Sequence, residues 1–131
     1  MTGLMPYLSF PGNAGEALEF YQDVFGGQLS LFTYEQFQRT DGPPDMIAHG
    51  ELAGPVRLCG SDAGPDDDAV HMLGMSFALL GTAEPQILTE WFDQLAEDGT
   101  VIDPLQKRPW GAHDGQVRDR YGVRWLIGYE R

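Results

Sequence analysis

Two ionisable residues, His49 and Glu51, stand two positions apart in the segment Met46–Leu52. If this segment is a β-strand, both side chains point to the same face of a sheet, because side chains alternate along a strand. An imidazole beside a carboxylate can act as an acid–base pair or supply part of a metal site. The alternative is a polar stripe that faces solvent or a partner subunit, opposite Ala48 and Leu52. His49 and Glu51 are therefore the candidate catalytic residues if the protein is an enzyme.

Three residues elsewhere in the chain also have side chains suited to chemistry or binding. Trp110 offers a large apolar ring and one hydrogen-bond donor for a ligand, although core packing explains an indole nearly as well. Cys59 is the single cysteine, so it cannot form an internal disulfide. It is a candidate nucleophile, but no adjacent histidine activates it, and a lone buried cysteine is usually inert. His113 lies near Trp110, in a segment that could fold over a binding site.

The charge balance narrows the classes of partner. Eight Lys and Arg residues stand against twenty Asp and Glu residues, for a formal net charge of −12. Such a surface repels nucleic acid and anionic membranes, so we expect neither as a partner. It suits neutral or cationic small molecules, such as a basic antibiotic, better than anionic ones.

The distribution of apolar residues predicts a cytoplasmic protein. The N-terminal residues lack the basic start and apolar stretch of a signal peptide. No apolar run approaches the roughly 18 residues that a membrane-spanning helix needs.

The clearest local element is an amphipathic helix in the first half. Its apolar residues recur at helical spacing, and they are Ala14, Ala17, Leu18, Tyr21, Val24 and Phe25. We expect Asn13 to cap this helix, with Glu16 completing a capping box and Gly26 ending the helix.

Strands and loops are expected around that helix. The expected strands are Pro6–Phe10, Gln28–Gln36, Met46–Leu52 and Val56–Cys59, the last two forming a hairpin. The segment 37–45 is dense in turn residues and predicts a loop. Asp62–Asp68 predicts an acidic, flexible linker. A calcium loop is the alternative there, but the twelve-residue spacing with its terminal Glu is missing.

The second half repeats this plan. A helix capped by Thr82 is expected to carry Ile87, Leu88, Trp91 and Leu95 on one face. The expected strands are Met75–Leu80, one that starts at Thr100–Ile102, Gln116–Arg118 and Val123–Ile127. Asp119 is expected to bond its own backbone in the turn between the last two strands.

Together these elements predict an α+β fold of two βαβββ modules, residues 1–63 and 71–131, within a single domain 1–131. Each helix is expected to cover one face of a four-stranded antiparallel sheet. The two uncovered faces are expected to curve towards each other and form a cleft, the usual kind of small-molecule site.

Several sequence motifs resemble those of PhnB-like proteins in the vicinal-oxygen-chelate superfamily, which includes glyoxalase I, bleomycin-resistance proteins and extradiol dioxygenases. The motifs run almost the whole length of the chain, and they are Pro6–Phe10, Gly12–Ala14, Glu16–Tyr21, Val24–Gly27, His49–Leu52, Gly60–Asp62, Asp98–Val101, Pro109–Gly111 and Asp119–Trp125. The resemblance implies paired βαβββ modules, a glyoxalase/bleomycin-resistance-like fold and a homodimer. Names given to such proteins include a demethylubiquinone-methyltransferase type and a DNA-binding type. The net charge argues against the DNA-binding type, and no Gly-rich cofactor loop supports the methyltransferase type.

Metal-dependent members of that superfamily place His, Gln or Glu ligands on four strands, two in each module. In this chain those positions fall at Pro6 or Met5, near Cys59, at Met75 and at Leu126, with Tyr7 as the neighbouring oxygen donor. Proline, methionine and leucine are not ligands for hard or borderline cations, and Cys59 alone would not hold zinc or iron. We therefore expect no metal and no other cofactor.

Several of these residues are also candidate ligand contacts, together with Trp110. The expected ligand-binding residues are Tyr7, Cys59, Met75, Trp110 and Leu126. The sequence thus favours a metal-independent small-molecule-binding protein of the sequestering or resistance type. The alternative is an enzyme that acts on a small carbonyl or aromatic compound, either by proton transfer through His49 and Glu51 or by metal-dependent chemistry.

Overall fold

The computed structural model describes residues 3–64 and 67–130. The chain divides into two compact units, Met1–Val70 and His71–Arg131. The first unit contains β1 (Tyr7–Phe10), α1 (Ala14–Phe25), β2 (Gln28–Thr33), β3 (Ile47–Ala53) and β4 (Leu58–Asp62). The second contains β5 (Phe77–Leu80), α2 (Pro85–Ala96), β6 (Thr100–Lys107), β7 (His113–Arg118) and β8 (Arg124–Tyr129). The predicted α+β fold with two βαβββ repeats is confirmed, and the assignment of 1–131 to a single domain stays a prediction.

Each unit has one four-stranded sheet, ordered β1-β4-β3-β2 in the first unit and β5-β8-β7-β6 in the second. The expectation of fully antiparallel sheets is wrong for one strand pair in each, because β1 pairs with β4, and β5 with β8, in parallel. The cause is the helical crossover, after which β2 runs in the same direction as β1. Two further reversals then bring β4 back parallel to β1.

The α1 helix packs on one face of the first sheet through the apolar stripe predicted for it, and all six stripe residues are buried. Gly26 follows the helix with φ 79°, a left-handed conformation that favours glycine. Asn13 is the N-cap residue, as expected, but its side chain makes no capping hydrogen bond, so that part of the prediction is wrong. Asp62 at the end of β4 instead accepts the backbone N–H of Ala14 at 2.8 Å and that of Ile47 at 2.8 Å.

Asp62 is therefore a buried structural residue rather than the start of a linker, which corrects the prediction for Asp62–Asp68. Asp67 and Asp68 of that segment are exposed, whereas Pro65 and Asp66 lie outside the described residues. The two neighbouring strands also begin later than expected. β4 starts at Leu58 instead of Val56, and β5 starts at Phe77 instead of Met75.

In the second unit, α2 begins at Pro85 with Glu84 as its N-cap residue, so the predicted cap at Thr82 is wrong. Proline is favoured in the first helical turn, because backbone N–H groups there have no hydrogen-bond partner within the helix and the N–H that proline lacks is not needed. The buried stripe is Leu88, Trp91, Phe92 and Leu95, while Ile87 remains 38% exposed. His113 lies in β7, so it belongs to the sheet and not to a covering loop.

The turn after β7 depends on Asp119, which is buried. As predicted, its carboxylate accepts backbone N–H groups of its own turn, from Tyr121 at 2.8 Å and from Val123 at 3.2 Å. It also accepts the indole N–H of Trp125 at 2.9 Å, a contact that the turn prediction did not include. No helix within the described residues is long and apolar enough to cross a membrane.

Candidate functional site

The sheet face turned away from α1, here called the distal face of the first sheet, brings together side chains that are far apart in sequence. Gly50, between His49 and Glu51, packs against Leu18 of α1, so His49 and Glu51 point to the distal face. The strand register places Tyr7 opposite Cys59, and Cys59 opposite Glu51. His49, Glu51, Cys59 and Tyr7 therefore share one face, and we call these four residues the donor cluster.

Distances within the donor cluster are short. The His49 Nε2 atom lies 3.9 Å from the Glu51 Oε1 atom, and the Cys59 Sγ atom lies 4.0 Å from the same oxygen. One ligand atom from each of His49, Glu51 and Cys59 lies within 4.8 Å of the other two. The Tyr7 hydroxyl lies 3.1 Å from His49 Nδ1, and the histidine tautomer decides which of the two donates. Adjacent strands thus make a compact group of hydroxyl, imidazole, carboxylate and thiol.

The electrostatic state of Cys59 follows from its surroundings. Burial raises the pKa of the thiol, and the nearby Glu51 carboxylate raises that pKa further, because both disfavour a thiolate. The thiol keeps its proton at neutral pH and donates it towards Glu51. A nucleophilic role for Cys59 in the absence of a cation is therefore disfavoured.

Aromatic rings continue the distal face beyond the donor cluster. The Tyr7 and His49 rings are stacked with centroids 5.6 Å apart, His49 and Phe32 with centroids 6.3 Å apart, and Phe32 and Phe37 with centroids 5.6 Å apart. Tyr7, Phe32 and Phe37 remain 51%, 39% and 50% exposed. We call Tyr7, His49, Phe32 and Phe37 the aromatic strip.

The sequence-based reasoning missed Phe32 and Phe37. Phe32 lies opposite His49 in the register of β2 and β3, and its face could have been found from the alternation along Gln28–Thr33. Phe37 follows β2 in a turn, and no periodic signal indicates where its ring points. Its stacking on Phe32 could therefore not be predicted from the sequence and is seen only in the three-dimensional structure.

The remaining ligand-binding candidates lie in the second unit. Trp110 is 72% exposed and helps to line a pocket of about 260 Å³. The residues that line this pocket are Leu80, Gly81, Trp110, Ala112, His113, Asp114, Tyr129 and Glu130. His113 stacks on Tyr129 with ring centroids 4.7 Å apart. Met75 precedes β5 and is 58% exposed, and neither Met75 nor Leu126 lines the pocket.

The distal face of the second sheet, which is the face turned away from α2, differs from that of the first. On this face Leu126 lies opposite Ala78 of β5 and Gln116 of β7, so the row contains two apolar side chains and an amide. A metal centre with ligands from β1, β4, β5 and β8, which the resemblance implies, does not fit these residues. Met75, the implied position of the β5 ligand, precedes that strand, and Ala78, which lies opposite Leu126 on β5, has no donor atom, nor has Leu126.

Two arginines of the second unit, Arg108 and Arg124, are held by hydrogen bonds to neighbouring side chains. Arg108 donates to Asp114 at 2.7 Å and also to Asp103. Arg124 donates to Gln116 at 2.7 Å. Gln116, which lies opposite Leu126, therefore already has a partner within the second unit.

Comparison with known proteins relates this geometry to a family. The family model of the Glyoxalase/Bleomycin resistance protein/Dioxygenase superfamily matches residues 4–127. The chain is 30% identical to protein YjdN of Escherichia coli (strain K12), over 95% of this chain and 92% of that protein. Its fold is similar to that of protein PA1353 from Pseudomonas aeruginosa, with a TM-score of 0.82 and 32% identity over 99% of this chain and 98% of the other. PhnB protein from Bacillus cereus has a TM-score of 0.80 at 23% identity, over 98% and 99% of the two chains.

Proposed function

Because this chain belongs to the Glyoxalase/Bleomycin resistance protein/Dioxygenase superfamily, we propose that it binds a small molecule as a sequestering or resistance-type protein and needs no metal to do so. The binding surface is the aromatic strip together with the carboxylate of Glu51. The ligand class is a planar aromatic compound that is neutral or positively charged.

The observation that carries this proposal is the exposure of the aromatic strip. Three of its rings, those of Tyr7, Phe32 and Phe37, are about two-fifths to one-half exposed, and exposed aromatic surface of this kind is typical of ligand sites. A planar ligand can stack on these rings, and a cationic one gains further from the ring faces.

Charge supports the cationic part of the ligand class. Glu51 lies beside His49 of the strip, and the chain as a whole carries a net charge of −12. Both features attract a cation and repel an anion. The absence of donor atoms on Ala78 and Leu126 supports binding without the four-strand metal centre of metal-dependent relatives.

A second candidate function is proton transfer on a small carbonyl or aromatic substrate. The Tyr7 hydroxyl lies 3.1 Å from His49 Nδ1, and Glu51 lies on the other side of the same ring, 3.9 Å from Nε2. This arrangement can hold the imidazole in one tautomer and lets His49 act as a general base or acid. Turnover that disappears in His49→Ala would favour this enzyme over a binding protein.

The test is calorimetric titration of chelator-treated protein with a planar quaternary-ammonium dye and with an anionic dye of the same size. We expect the cationic dye to bind more tightly. Phe32→Ala should weaken its binding by about tenfold, the loss of one aromatic stack. Ile87→Ala, which removes an exposed apolar side chain of α2, is the control and should bind normally.

Two results would contradict the proposal. Binding that appears only after a divalent metal is restored would exclude metal-independent recognition. Equal affinity of Phe32→Ala and the unmodified protein would remove the aromatic strip from the site. The homodimer, the cytoplasmic location and the absence of nucleic-acid and membrane partners stay predictions.

A further inference from the structure

We propose that the first unit binds a zinc-type divalent cation through His49, Glu51 and Cys59, at a site distinct from the four-strand metal centre of the superfamily. His49 and Glu51 lie on β3, and Cys59 lies on the neighbouring strand β4. All three protein ligands therefore belong to one sheet, whereas the superfamily centre draws ligands from two modules.

The donor atoms are chemically suited to zinc. An imidazole nitrogen, a carboxylate oxygen and a thiolate sulfur are the three kinds of atom that zinc sites in proteins use. The sulfur favours zinc over magnesium and calcium, which prefer oxygen ligands alone. Three protein ligands leave one position of a tetrahedron open for water or for a group of a ligand.

The geometry is close to what zinc requires. Zinc bonds of about 2.0 to 2.3 Å place neighbouring ligand atoms roughly 3.3 to 3.8 Å apart in a tetrahedron. The Glu51 oxygen lies 3.9 Å from His49 Nε2 and 4.0 Å from Cys59 Sγ. The His49 and Cys59 ligand atoms lie within 4.8 Å of each other, so the side chains of His49 and Cys59 as well as that of Glu51 must rotate inwards to bind zinc. The paired strands hold the three Cα atoms in place while they do so.

Tyr7 supplies an independent indication. Histidines that bind zinc almost always hydrogen-bond through their second ring nitrogen, which fixes the tautomer and the ring orientation. Tyr7 lies 3.1 Å from His49 Nδ1, so the other nitrogen, Nε2, is the one that faces Glu51. With Nδ1–H donating to the Tyr7 hydroxyl, the Nε2 lone pair is available for a cation. Tyr7 is in this sense a positioning residue.

The cation site stands whether or not the small-molecule proposal is correct, because it depends only on the donor cluster. The two proposals share His49 and Glu51, so an organic cation and a metal cation compete for the same carboxylate. Binding of the metal replaces the Cys59 proton, which passes to solvent, and its affinity therefore rises with pH.

The experiment is a titration of reduced, metal-free protein with Co²⁺, followed by displacement with Zn²⁺. Tetrahedral cobalt bound to a thiolate gives strong visible bands and a sulfur-to-cobalt charge-transfer band in the near ultraviolet. We expect these bands to saturate at about one equivalent of cobalt and to disappear when zinc is added.

Variants assign the bands to residues. Cys59→Ser should abolish the charge-transfer band. His49→Ala removes a ligand and should weaken cobalt binding by more than about tenfold, because about tenfold is the smallest loss expected when a residue that only supports a ligand is removed. Tyr7→Phe should weaken it by about tenfold without removing the bands. Ser61→Ala, two residues from Cys59 on the same face of β4, is the matched control and should bind like the unmodified protein.

The outcome that overturns the proposal is cobalt binding without a charge-transfer band, or with the same affinity in Cys59→Ser. Such binding would be assigned to His71, His113 or surface carboxylates. Thermal unfolding of each variant without metal shows whether the fold is intact, and Glu51→Gln provides a second test if Cys59→Ser unfolds.

Discussion

The two sheets have the same strand order and pairing but carry different chemistry on their distal faces. On the first sheet, one row across the strands contains Tyr7, Cys59 and Glu51. The equivalent row on the second sheet contains Ala78 of β5, Leu126 of β8 and Gln116 of β7. The fold therefore fixes where a side chain stands, and the residue type alone decides whether that position can bind or react.

The groups beside these rows also differ between the two units. Arg108 pairs with Asp114 and Asp103, and these hydrogen bonds raise the pKa of its guanidinium above the ordinary value. In the first unit, the rings of Tyr7 and Phe32 are exposed beside the donor cluster. Ligand binding is proposed for the first sheet, where these rings are exposed, whereas Arg108 of the second unit is held in internal ion pairs.

The largest expected effect concerns a feature that the units share, a buried aspartate that accepts backbone N–H groups. Asp62→Ala and Asp119→Ala should each lower the free energy of unfolding by about 2 to 4 kcal/mol, because buried donors lose their acceptor. Denaturant unfolding measures both values. Asp23→Ala, at an exposed position of α1, is the control and should change stability by less than about 0.5 kcal/mol. A value for Asp62→Ala as small as that of the control would contradict the role given to this carboxylate.

A smaller effect is expected at the thiol of Cys59. Glu51→Gln makes the row on the first sheet more similar to that on the second, because it replaces the carboxylate by an amide. Glu51→Gln should lower the pKa of Cys59, because it removes the negative charge that disfavours the thiolate. Burial remains, so the pKa stays above its ordinary value. The measurement is the rate of alkylation by iodoacetamide from pH 7 to pH 10, a range chosen around the ordinary thiol pKa of about 8.5. The increase of this rate with pH should begin at a lower pH in the variant than in the unmodified protein. An unchanged or higher pKa would show that Glu51 does not act on the thiol.

The smallest effect is expected at Trp110. Because 72% of its surface is exposed, Trp110→Ala should change the free energy of unfolding by less than about 0.5 kcal/mol. Denaturant unfolding provides the measurement, and the same protein then tests the predicted ligand contact. If the variant binds the cationic dye as well as the unmodified protein, Trp110 is not part of the ligand site.

Sequence patterns predicted those parts of the structure that depend on neighbouring residues. The stripe from Ala14 to Phe25 and the shared face of His49 and Glu51 follow from periods of about 3.6 and 2 residues, and both are present. The turn around Asp119 follows from the tendency of aspartate to bond its own backbone.

Two of the predictions that failed concern residues whose partners lie far away in the chain. The sequence predicts a linker at Asp62, because a charged residue favours an exposed position and its partner Ala14 is 48 residues away. The sequence shows no partner for Cys59, because only the strand register reveals that it lies opposite Glu51. The position of a donor along its own strand was thus predictable, but the neighbour across the sheet was not.

The carboxylate of Asp62 ties the end of β4 to the starts of α1 and β3, three places that the chain reaches at different times during synthesis. The amide groups of Ala14 and Ile47 therefore lack this acceptor until the last strand of the unit has docked. Local fraying at either place breaks a bond to the same side chain, so the helix start and the strand start are energetically linked. The first unit should consequently open to solvent as a single cooperative block at this point, with the two amides exchanging their hydrogens in step.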